Sequence, residues 1–193
     1  MGTLAYFGLL GLGFMLVEIP LMQRFILFLG HPAYAMTTVL FAILLFSGVG
    51  SAISHRFSTR RALILLMGLT LLYRVGLSTL FALTMALPLI SRMIITVLTL
   101  APAGVLMGIP FPQGLRRLEA LAPQHIPWAW GVNGALSVVA SVLAALLALS
   151  AGFDVVLITG ALCYLGAWII AFQGVAPSTP SPVNGTKETP PRL

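Results

Sequence analysis

An all-α, polytopic transmembrane bundle of six helices is the fold the sequence predicts, and three observations predict it. Of the 193 residues, 59% are hydrophobic and 7% are charged, with a mean hydropathy of +1.06, whereas about a quarter of the residues in a soluble domain carry charge. The apolar residues gather into six runs, 4–29, 33–54, 62–86, 88–109, 127–150 and 153–172. Each approaches or exceeds the roughly 20 residues that cross a hydrocarbon layer of about 30 Å at 1.5 Å rise per residue. No strand-like alternation runs through them, and a helix satisfies its own backbone inside lipid. Residues 1–172 therefore read as one membrane domain, and 173–193, rich in Pro, Ser, Thr and Gly, as a disordered cytoplasmic tail.

Charge and cysteine content narrow the function classes. The net charge of +6 comes mostly from arginines in short loops between apolar runs, the positive-inside pattern, so the partner it implies is the lipid bilayer and no nucleic acid. Cys163 is the single cysteine and lies inside an apolar run, which excludes a disulfide framework and a cysteine metal site. No cofactor motif is present. The N-terminus has neither a basic n-region nor a small-residue cleavage site, so no removable signal peptide is expected.

The first run, Leu4 to Leu29, is the one the others are expected to surround. Gly8, Gly11 and Gly13 give it a face that another backbone can approach closely. Glu18, Gln23 and Arg24 follow on the same helix. A carboxylate at that depth costs ~2.5 kcal/mol or more against lipid, so Glu18 must face other helices or a wet cavity. The turn Gly30-His31-Pro32 closes a hairpin, Gly permitting positive φ and Pro opening the next helix. His31 can be a hydrogen-bonding turn residue or a titrating member of a proton pathway.

In the third run Arg74 lies ~18 Å from Ala62 and Glu18 ~21 Å from Leu4 by helical rise. The matched depths predict a Glu18–Arg74 ion pair, either structural or coupled to a transported proton or solute. The third and fourth runs meet at Leu87-Pro88. The fourth ends in a broken stretch: Pro102 weakens its ladder, Gly104 and Gly108 form a close-packing face, and Pro110, Pro112 and Gly114 are expected to stop the helix before an interfacial segment around Leu115 to Leu121. Such a break serves as a rigid exit or as a source of freed backbone groups for a ligand. Pro127 opens the fifth run at the level of Trp128 and Trp130, and Asn133, Ser137 and Ser141 repeat every four residues, suited to interhelical hydrogen bonds or to lining a cavity. Asp154 opens the last run, where an acid suits a helix N-terminus.

Orientation follows from the arginines and lysines near the span ends. Arg56, Arg60, Arg61, Arg116, Arg117, Lys187 and Arg192 share one side, against Arg24 and Arg92 on the other, where both are expected to snorkel. Both termini are thus expected in the cytoplasm.

Five ordered motifs also carry a family likeness. They are the stretch Gly11 to Glu18, Gly30-His31-Pro32, Phe46-Ser47-Gly48-Val49-Gly50-Ser51, Gly108-Ile109-Pro110-Phe111-Pro112 through Gly114-Leu115-Arg116, and Trp128-Ala129-Trp130-Gly131-Val132-Asn133-Gly134. From about Leu4 to Phe172 the chain resembles the membrane half of bacterial spermidine-synthase-like integral membrane proteins. The resemblance implies six helices that accompany an aminopropyltransferase-like domain, and these 193 residues contain no Gly-rich strand-to-helix turn of such a domain. A second likeness, to a six-helix half of a major facilitator transporter, rests on His55-Arg56-Phe57-Ser58-Thr59-Arg60-Arg61, with His in place of an acid, Ser in place of a glycine and one residue inserted. The expected function is a non-catalytic anchoring or partner subunit in a bacterial inner membrane, with a separate protein or a second copy of the chain as partner. The alternative is an oligomeric half-transporter for polyamine or another cationic solute. The candidate binding residues are Glu18, Arg74, Gln23, Arg24, Asn133 and His31, with no catalytic residue and no metal ligand.

Overall fold

The computed structural model describes residues 2–173. All of their regular structure is helical: α1 (Gly2–Leu29), α2 (Pro32–Ile53), α3 (Thr59–Thr84), α4 (Leu89–Gly108), α5 (Pro110–Leu121), α6 (Ile126–Ala151) and α7 (Phe153–Gln173), with single 3-10 turns at Ser54–Arg56 and Pro123–His125. Six of these, counting α4 with its continuation α5, are long and apolar enough to cross a membrane, so the chain is a multi-pass membrane protein. Each apolar run of the sequence corresponds to one of α1, α2, α3, α4, α6 and α7, with ends shifted by up to three residues. The expected disordered tail falls, from residue 174 on, outside the described residues, as do Lys187 and Arg192.

α1 is the hub. It packs against α6, α7 and α2 and touches α4 and α5, and Phe7, Val17, Leu21 and Phe25 on it are fully buried. The glycines make this possible. A Cβ on Gly11 would lie 2.4 Å from the backbone oxygen of Asn133 in α6, and one on Gly13 would lie 3.0 Å from the Tyr164 ring in α7. α1 runs unbroken through Pro20. That proline has no N–H to return to the Leu16 carbonyl, and Gly160 of α7 packs close to Leu16 there.

The second close seam joins α2 to α4. Cβ atoms on Gly50 and Gly108 would fall 2.1 Å from the Val105 oxygen and 2.0 Å from the Ser47 oxygen, so only glycine lets these backbones meet. Aromatic clusters fill both ends of the bundle: Phe28 stacks on Phe81 at 4.4 Å beside Phe25, and Phe111 sits edge-on between Phe7 and Trp130. The outer surface is apolar, with Leu72, Leu83 and Leu149 exposed as expected of lipid-facing positions.

The expected break at Pro110 and Pro112 is narrower than the prolines suggested. Only Ile109 separates α4 from α5. Pro110 occupies the start of α5, and first-turn N–H groups have no intrahelical acceptor in any helix, so two prolines there cost no ladder bond.

Candidate functional site

The polar groups fall into three places along the bundle. At the hairpin end, Gly30 has φ 77°, as the tight turn requires. His31 is the exposed residue before α2, with its ring 5.1 Å from that of Tyr34, and its side chain makes no capping hydrogen bond. Just inside this end, Asp154 of α7 forms an ion pair with Arg24 of α1, and Arg74 Nε of α3 lies 3.7 Å from its second oxygen. Arg24 also reaches the backbone oxygens of Tyr73 and Arg74, at 3.4 and 3.3 Å. One carboxylate therefore ties three helices.

The expected Glu18–Arg74 pair does not form. α7 packs closely against both α1 and α3, while α1 meets α3 through Arg24 and through the Phe25 and Phe28 rings against Phe81, these α1 residues all lying C-terminal to Glu18, so the carboxylate that both arginines reach is Asp154 on α7. Depth counted from helix starts misleads as well. Arg24, 22 residues after Gly2, and Arg74, 15 after Thr59, meet the same carboxylate, so equal counts do not mark equal heights. Nor do Arg24 and Arg92 simply snorkel: Arg92 donates to the Phe28 carbonyl at 2.8 Å and lies over the Phe28 ring.

Glu18 is 6% exposed and makes no hydrogen bond or ion pair among the described residues. It follows Gly11 and Met15 on one face of α1, one turn beyond a 460 Å³ cleft that those two residues help to line. α1 forms the back of the cleft, α2 and α4 one wall and α6 the other, and Tyr164 of α7 borders it. Asn133 donates to the Phe7 carbonyl at 3.0 Å, while Ser137 and Ser141 donate to carbonyls of their own helix. The polar repeat of the fifth run thus ties α6 to α1 through Asn133 and also lines a cavity. Gln23 is exposed and joins no polar contact among the described residues.

The third place is the arginine-bearing end. Gln113 of α5 donates its amide to the carbonyls of Ser54 and Phe57 and accepts the Thr59 hydroxyl. Arg116 donates to Ser54 Oγ at 2.8 Å, and Tyr6 to the Pro110 carbonyl at 2.8 Å. Together these clamp α5 onto the α2–α3 corner and the start of α1. A 380 Å³ cavity beside them is lined by Tyr6, Thr3, Thr59, Arg117 and Leu118.

Gln113, Asp154 and Tyr164 were not among the candidate binding residues of the sequence. The signal for Gln113 was a lone amide among prolines, next to a corner whose carbonyls have no helix to receive them. For Asp154 it was two basic residues near its end of the bundle. No family profile, curated protein or solved structure matches the chain.

Proposed function

We propose that the chain is a non-catalytic membrane module of the spermidine-synthase-like kind, anchoring or completing a complex with a separate protein. The observation that carries this reading is the clamped α5: Gln113 and Arg116 hold it across the α2–α3 corner, so Arg56, Arg61, Arg116 and Arg117 stand exposed on a fixed surface at one end of the bundle. A rigid basic surface suits an acidic soluble partner, since the orientation of charges is prepared before the encounter. By the positive-inside rule this end and both termini belong in the cytoplasm of a bacterial cell. Purification from native membranes is expected to recover a second polypeptide in stoichiometric amount, and Arg116→Glu with Arg117→Glu to lose it. Recovery of the chain alone from wild-type membranes overturns the reading.

Glu18 favours a second reading, a half-transporter for polyamine or another cationic solute. A buried carboxylate without a countercharge, one turn from a cleft, is suited to hold a cation in transit. Labelled polyamine uptake into proteoliposomes is then expected, and uptake unchanged by Glu18→Gln disposes of this reading.

A further inference from the structure

The cleft behind α2 and α6 has chemistry of its own. Its rims are lipid-facing: Leu44 is 63% exposed, and α2 and α6 do not form a packed pair, so the opening is sideways, toward the hydrocarbon. Its interior is not apolar to match. Ser51 engages its hydroxyl with no partner among the described residues, and Asn133 spends one amide hydrogen on Phe7 while its other hydrogen and its oxygen remain uncommitted. Deeper in the wall, Tyr164 is 2% exposed and its hydroxyl also has no partner among the described residues. Each is a hydrogen-bond donor, and a donor left unmet away from water is costly. The cleft volume of 460 Å³ lies within the roughly 300–1,000 Å³ of small-molecule pockets.

We propose that this cleft binds the acyl-ester region of a membrane lipid entering sideways from the bilayer. The two ester carbonyls of a diacyl lipid share Ser51, Asn133 and, at full depth, Tyr164 as donors, while the acyl chain lies against Leu10, Phe14 and Met107. A carbonyl-bearing lipid fits better than a hydrocarbon alone, because the wall holds donor hydrogens on Ser51, Asn133 and Tyr164 that have no acceptor among the described residues. It fits better than a free cation, because the cleft lining itself includes no acidic side chain. The site is independent of any soluble partner at the arginine end.

The test uses the full chain in vesicles of dioleoyl phosphatidylcholine with a trace of the same lipid carrying a photoreactive diazirine on one acyl chain. Crosslinks are mapped by peptide. Labelling of Leu44–Ser51 and Asn133–Ser137 is expected to exceed several-fold that of the exposed α3 surface at Leu71–Val75. Gly48 lines the cleft, and a Cβ on it meets nothing within 4 Å, so Gly48→Leu fills the space without disturbing the helix contacts and is expected to reduce cleft labelling to the level of that surface. Ser51→Ala with Tyr164→Phe is expected to lower it about fivefold or more, the factor of one or more net hydrogen bonds. Equal labelling of cleft and α3 surface, or labelling that Gly48→Leu leaves intact, overturns the site. Excess diether lipid, which has no carbonyl, displacing the label as well as the diester does would overturn the ester assignment.

Discussion

At the scale of single residues, the sharpest contrast is between two carboxylates. Asp154 receives two arginines, and Glu18, far more buried, receives none. Asp154 stands in the first turn of α7, at the end of a span where headgroup water reaches, so the Arg24–Asp154 interaction is screened and worth only about 1 kcal/mol. In a double-mutant cycle read by thermal unfolding in detergent, Arg24→Gln and Asp154→Asn are expected to couple by that amount. Glu18→Gln and Arg74→Gln are expected to add within about 0.5 kcal/mol, because they share no contact. Glu18→Gln alone should leave the melting temperature unchanged or raise it, since it removes a buried charge with no partner to strand. A cycle in which Glu18 and Arg74 couple as strongly as Arg24 and Asp154 would contradict the geometry. Gln113→Ala is a separate case: it leaves the Ser54 and Phe57 carbonyls and the Thr59 hydroxyl without their partner, and a loss of about 1–3 kcal/mol is expected in the same measurement.

At the scale of elements, the glycines sort by what stands opposite them. Gly108 faces the Ser47 backbone at a distance no Cβ tolerates, and backbone cannot swing aside as a side chain can. Gly108→Ala is therefore expected to cost about 1–3 kcal/mol or more by forcing α2 and α4 apart. Gly131 meets nothing within 4 Å, so Gly131→Ala should be neutral or stabilising by up to about 1 kcal/mol through helix propensity. Thermal unfolding of the two variants side by side checks both, and equal effects would mean the α2–α4 seam is looser than described. The sequence motifs gave the close-packing faces of α1 and α4 correctly, since small residues at helical spacing signal contact whatever the partner. They did not name the partners, and they overstated the interruption at Pro110, because proline in a first helical turn displaces no hydrogen bond.

For the whole molecule, orientation is the testable quantity. With Cys163 replaced by Ala, a cysteine at His31 is expected to react with an impermeant maleimide from outside the cell, and one at Ser58 only after permeabilisation. The reverse pattern would invert the arginine-rich end and, with it, the proposed cytoplasmic docking surface. The number of spans and the positions of their breaks were legible in the residues alone, because hydropathy, Pro88 and Gly30 act within a few residues of where they stand. So was the burial of Glu18, since no apolar run hides a carboxylate in lipid. The pairing of charges was not legible. It depends on α7 packing against both α1 and α3 and on how far those helices are staggered, and a helical period records which face is buried but neither what covers it nor at what height. Only the packed bundle decided that Asp154 holds both arginines, that Glu18 stands without a countercharge among the described residues, and that a polar-lined cleft lies beside α1.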